Sequence, residues 1–255
     1  MRILLISLAA AVSVIAADVR TPVLVELFTS EGCNSCPPAD KFLQALEQRQ
    51  PVKGVNIIIL SEHVDYFDGE GWRDPFGSPQ FTNRQRDYEL SLKGDADIFT
   101  PQMFVNGKSG FVGSKFDVGL REIAKGAGRP VAAIQVDHVN VEGNALTASI
   151  SIPEIPEGAG KGPFDVTVAV SESGLHSTPT AGENRGVAMV QAGVVRWLKV
   201  VGKATAAGYQ GDVHLKLDHS WKRDSLKLVV FLSDRKTRAV WGATQTDATV
   251  LAAKK

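Results

Sequence analysis

Cys33 and Cys36 are the two cysteines of the 255-residue chain, and they share one motif, Cys33-Asn34-Ser35-Cys36-Pro37, directly after the apolar run at residues 23–28. Two thiols at this spacing, behind a strand and at the start of a helix, suit thiol–disulfide exchange. The first sulfur would sit where a helix N-terminus offers unpaired N–H groups and a favourable dipole, which support thiolate over thiol. Cys33 is therefore the candidate nucleophile. Cys36, one turn on, is placed to resolve a mixed disulfide formed at Cys33. Pro37 and Pro38 suit a first helical turn, where a missing N–H is tolerated. A disulfide here closes so short a loop that it would add little stability, so reversible chemistry is favoured over an inert bridge. A copper(I) site formed by the two thiolates with an imidazole such as His63, or a partner-binding module with a static disulfide, are the competing readings.

The elements that must position the pair follow from periodicity. Residues 23–28 read as a strand, 38–48 as a helix with Ala39, Phe42, Leu43 and Leu46 at helical spacing, and 55–60 as a second strand. Both strands are continuously apolar, as in parallel strands covered on two faces. Residues 61–97 form a long insertion with a helix predicted over 82–92, capped by Thr82. A strand entered through Thr100-Pro101 leaves by an Asn106-Gly107 turn and pairs with residues 110–112, before a helix over 115–125.

Residues 126–130 (Gly-Ala-Gly-Arg-Pro) read as a linker. Beyond it, strands are expected over residues 131–138, 145–152, 164–170, 187–201, 214–217, 226–232 and 238–242, which suggests a β-sandwich. The stretches 157–163 and 171–185 read as ordinary connections. The N-terminus has a charged start, an apolar segment and small residues before Asp18, the pattern of a signal peptide over residues 1–17. Export to the periplasm or beyond, an oxidising compartment, follows, with no membrane anchor after cleavage. The 28 basic and 28 acidic residues balance, with no basic stripe, which argues against nucleic acid as a partner.

Several further residues could serve the pair. Pro101 either opens a strand or forms a cis peptide bond that offers a substrate-pairing edge beside Cys33. Thr100, His63 and Asp65 are the candidate substrate-contacting residues, because the carboxyl ends of parallel strands share one edge. Glu26 lies in a strand that should be buried, so it either relays a proton to Cys36 or finds water or a cation. No cofactor and no resident metal are expected. The partners would be a protein or small thiol or disulfide substrate and a redox partner protein.

The order β-α-β, insertion, β-β-α, with the cysteine motif after the first strand and Thr100-Pro101 ahead of the hairpin, resembles the thioredoxin fold. That resemblance implies that Pro101 is cis and faces the disulfide. The string from Glu26 to Asp40 (ELFTSEGCNSCPPAD) also resembles a bacterial family of exported, functionally uncharacterised thioredoxin-like proteins. Further matches are His63-Val64-Asp65-Tyr66-Phe67-Asp68, Gly71-Trp72-Arg73-Asp74-Pro75-Phe76, Thr82-Asn83-Arg84-Gln85, Thr100-Pro101-Gln102 and Gly182-Glu183-Asn184-Arg185-Gly186. Phe67 and Val190-Gln191 depart from the family's usual tryptophan and histidine. The resemblance implies an α/β thioredoxin-like domain with a long insertion over residues 18–127 and a smaller β-rich, sandwich-like domain over 130–255. It implies no particular activity.

Overall fold

The computed structural model describes residues 20–69 and 71–248, so the expected signal segment over residues 1–17 lies outside the described residues. Strand β1 (Thr21–Thr29) runs into the turn that holds both cysteines, helix α1 (Pro37–Arg49) follows, and β2 (Val55–His63) lies parallel to β1. Alternation along β1 sends Val23, Val25 and Leu27 against Phe42, Leu43 and Leu46 of α1, and Leu24 to the other face beside Ile58 and Leu60. Both faces are covered, which is why the strands read as unbroken apolar runs. At the end of α1, Gln50 adopts a left-handed conformation and its side chain accepts from the Ile57 amide at 2.7 Å, tying helix to strand.

Helix α2 (Pro79–Lys93) occupies the insertion and begins earlier than its sequence predicts. Ser78, not Thr82, is the cap: its hydroxyl accepts from the Gln80 amide at 3.2 Å, with Pro79 in the first turn. Thr82 lies inside the helix. Strands β3 (Gln102–Val105) and β4 (Ser109–Val112) form the hairpin, β3 antiparallel to β1, and α3 (Phe116–Gly126) follows.

The second half contributes β5 (Gln135–Glu142), β6 (Ala145–Ile152), β7 (Phe164–Glu172), β8 (Leu175–Ser177), β9 (Met189–Gln191), β10 (Val194–Ala204), β11 (Tyr209–Lys216), β12 (Leu226–Asp234) and β13 (Val240–Asp247). The single strand expected over residues 187–201 is two strands, broken at Gly193. That residue has φ +65° and leaves no room for a Cβ beside Ile59, so β10 can close directly onto β2. The Ser61 amide donates to the Gly193 carbonyl at 2.7 Å, and Val194 pairs with Ser61 in parallel.

That joint makes one sheet of eight strands, in the order β13-β12-β7-β10-β2-β1-β3-β4. The protein is a mixed α/β fold with a large central sheet and few helices, and the sheet continues across the expected linker between the two halves. Strands β11, β6 and β5 form a separate sheet stacked on the β7, β10 and β12 end, with Leu146, Ile150, Val166, Val168 and Val230 between the layers. The sheet also curls. Asn106 accepts from the Leu24 amide through its side chain and from the Val240 amide through its carbonyl, each at 2.9 Å, so β13 returns to the β3–β4 turn. Among the described residues, no helix is long and apolar enough to cross a membrane.

Candidate functional site

Cys33 and Cys36 form a disulfide in the turn after β1, with their Cα atoms 5.4 Å apart. Both are buried, Cys33 with 2% of its surface exposed and Cys36 with none. The helix starts at Pro37 with Cys36 as its N-cap, so Cys33 stands three residues before the cap and not at the helix N-terminus as expected. Pro37 and Pro38 supply no N–H, and the Ala39 and Asp40 amides donate to the Cys36 carbonyl at 2.8 and 3.1 Å. The donors expected to support a Cys33 thiolate are therefore absent or occupied. What Cys33 has instead is the Ser35 hydroxyl, 3.3 Å from its sulfur.

The Thr100–Pro101 bond is cis, and Pro101 is buried beside the start of α1. A Cβ placed on Gly113 would lie 2.8 Å from Leu27, 3.2 Å from Ala39 and 3.4 Å from Pro101, so these groups meet around a position that only glycine fits. The Thr100 carbonyl lies 3.5 Å from the Ser35 hydroxyl.

Beneath the turn lies a cluster of buried acids around His63. The strand β2 runs on through Glu62 and His63, so both lie within the sheet and not after it. His63 Nδ1 is 2.7 Å from Asp74 Oδ2, which also accepts from the Glu31 amide at 2.8 Å. The Glu31 carboxylate accepts from the Trp72 indole and the Ser177 hydroxyl. Asp40 accepts from the Thr29 hydroxyl at 2.8 Å. Burial pushes the Asp40 carboxyl up to about 6 and also raises Glu31. For His63 burial opposes the charged form, but the Asp74 carboxylate outweighs it and holds the imidazole above its ordinary value. Asp74 is held low despite its burial, by His63 and by backbone amides.

Asp40 gives a stability prediction with a definite sign. Below about 3.8 both folded and unfolded chains hold the proton, and between there and about 6 only the fold keeps it, so stability falls as pH rises. Asp40→Asn keeps an acceptor for Thr29 and removes the titration. Urea unfolding should find the variant more stable than wild type by about 2–3 kcal/mol near neutral pH and equal to it at acid pH. A constant difference across that range would exclude the assignment.

Two expected site residues lie elsewhere. Glu26 shares the face of β1 with Leu24 and Phe28, opposite the face that packs on α1. Its carboxylate is bonded to Arg84 and to the Tyr88 hydroxyl, and Arg84 also reaches Glu62 at 3.2 Å. A proton relay to Cys36 is not what this geometry provides. Asp65 is half-buried and bonded to Thr82 through both its amide and its carboxylate, which ties the start of the insertion to its own helix α2.

The stretch 171–185 is no ordinary connection. It carries β8, and its Glu183 and Asn184 reach the cysteine turn. Asn184 is buried, and its Nδ2 donates to the carbonyls of Glu31 and Cys33, each at 2.9 Å. Glu183 Oε2 accepts from the Asn34 amide at 3.2 Å. Phe67 of the insertion packs on the other side, where a Cβ on Gly32 would lie 3.0 Å from its Cβ. The string Gly182 to Gly186 was the sole signal for this contact, and it carried no role. Among the described residues, no group of three or more His, Cys, Asp or Glu side chains is arranged to hold a metal ion.

The fold and the site define a mixed α/β protein with a large central sheet and a C-x-x-C disulfide at the carboxyl end of a buried parallel strand. The chain belongs to the family described as "Protein of unknown function (DUF1223)", which its residues 24–233 match. Among solved structures it is similar to protein AGR_C_4864 from Agrobacterium tumefaciens, at 27% identity over 92% of this chain and 98% of that one, with a TM-score of 0.65. It shares its fold with HBP35 of Porphyromonas gingivalis, at 15% identity over 92% of this chain and 79% of that one, with a TM-score of 0.67. No curated protein matches the sequence.

Proposed function

We propose that the protein is exported and carries out thiol–disulfide exchange through Cys33 and Cys36, within a thioredoxin-like unit that spans the first half of the chain. The supporting observation is the contact between the disulfide turn and the strand behind cis Pro101, through Ser35 and the Thr100 carbonyl. Run in the reducing direction, the Cys33 thiolate attacks a substrate disulfide and one substrate sulfur leaves; the Cys36 thiolate then attacks the Cys33 sulfur of the mixed disulfide, forming the Cys33–Cys36 bond and releasing the second substrate sulfur as a thiolate. The electron pair passes to the substrate, and the protein ends as its own disulfide. A redox partner protein would return it to the dithiol. Phe67 on one side and Asn184 on the other restrict the substrates to those that can open or fit the turn.

The burial of Cys33 favours a second reading, a static disulfide in a binding module. A redox titration of the mature protein separates the two. The protein is equilibrated in glutathione and then dithiothreitol buffers of graded potential, quenched with an alkylating agent and weighed by mass spectrometry. Exchange activity predicts a single two-thiol transition, and a pair that stays oxidised throughout would overturn it. One equivalent of copper(I) retained by the reduced protein against a chelator would instead support the metal-carrying reading.

A further inference from the structure

Most backbone donors around the cysteine turn are already bonded. The Cys33 amide donates to the Ser30 carbonyl at 3.1 Å and the Cys36 amide to the Cys33 carbonyl at 3.2 Å. Pro37 and Pro38 have none to give, and Ala39 and Asp40 are bonded to Cys36. The Asn34 amide, the first after the Cys33 sulfur, is taken by the Glu183 carboxylate. A disulfide carries no charge and is indifferent to a carboxylate beside it. A thiolate at Cys33 would lose that amide as a donor and face a like charge.

We propose that Glu183 is a positioning residue for the dithiol: by placing a negative charge on the Asn34 amide it disfavours the Cys33 thiolate and biases the pair towards the disulfide. The proposal rests on the exchange reading and adds to it a direction, since a pair so biased donates electrons more readily than it accepts them. The other charged groups near the turn, Glu31, Asp40, Asp74 and His63, come from the turn, α1, the insertion and β2, and all are buried. Glu183 is exposed and comes from the second half of the chain, so it can be changed without disturbing them.

The test is Glu183→Gln, which keeps an acceptor for the Asn34 amide and removes the charge. The measured reaction is the protein disulfide plus two molecules of a small thiol giving the dithiol and the small disulfide, with two electrons and two protons transferred. Because the charge acts on the thiolate and not on the thiol, the variant and wild type should have equal equilibrium constants at about pH 6. At about pH 9 the variant should be reduced about three- to fivefold more readily. Its thiolate absorbance at 240 nm should also rise at lower pH than in wild type, and added salt should narrow the difference. An equal shift at both pH values would indicate a structural effect and overturn the proposal, as would no shift at either. If wild type itself cannot be reduced, the exchange reading falls. If wild type titrates and the variant matches it throughout, only the role of Glu183 falls.

Discussion

Arg84→Met is expected to destabilise the protein by about 3–5 kcal/mol, because it removes the arginine from a buried cluster that keeps its two acidic side chains. Glu26 and Glu62 come from adjacent strands and are fully buried, and the arginine from α2 lies between them and over the Phe231 ring. Burial and the neighbouring Glu26 hold Glu62 well above the ordinary carboxylate range, against the lowering effect of Arg84. The sign follows. Above the usual carboxylate value the unfolded chain releases the Glu62 proton and the fold keeps it, so this group makes the protein less stable as pH rises. Without Arg84, Glu62 loses the cation that lowers it, so the variant should lose more stability at pH 8 than at pH 5. Urea unfolding at the two values measures this. Adding Glu26→Gln should restore part of the loss, and a loss below about 1 kcal/mol with no pH dependence would show that the arginine is not what satisfies the cluster.

The second large effect concerns access to the disulfide. Asn184→Ala should speed reduction by dithiothreitol about 30-fold. Cys33 is almost wholly covered, so a reductant must wait for the turn to open locally. The asparagine closes that opening with two hydrogen bonds to carbonyls of the turn, and at about 1 kcal/mol each their loss favours the open form by about 2 kcal/mol. The rate of thiol appearance under excess reductant is the readout, with far-UV circular dichroism to verify the fold. Unchanged kinetics would mean that the turn opens without lifting this contact. This rate effect is distinct from the equilibrium effect at Glu183, and the two variants should separate cleanly.

The sequence was most legible where signals are local. The apolar runs of β1 and β2, the helical spacing in α1 and the Asn106-Gly107 turn each placed an element within a few residues of where it lies. Parity along β1 also put Glu26 on the opposite face from Leu27, but no local signal says which face α1 will cover, and that choice decided its role. The two prolines after Cys36 could be read as tolerated in a first turn; their removal of donors from the sulfur's surroundings became clear once the helix start was located. Asp40 carries no local signal that sets it apart, and its burial against β1 puts it among the acids around His63. Neither the Asn184 contact nor the pairing of β10 with β2 has any neighbour-to-neighbour signature. Both join residues more than a hundred positions apart, where only the folded topology brings them together.

The clamp on the turn has a consequence for the newly made chain. Cys33 and Asn184 are 151 positions apart, and at about 5–20 residues per second the cysteines are synthesised roughly 10–30 s before the residue that covers them. Until β10 arrives, β2 also lacks its neighbour at that edge, so the nascent first half has both open sulfurs and an open strand. Long-range strand pairing of this kind is slow to complete, which lengthens the interval. The thiols thus stay uncovered until Asn184 and β10 take their places, and a partner that reaches the chain before then meets the cysteine turn unguarded.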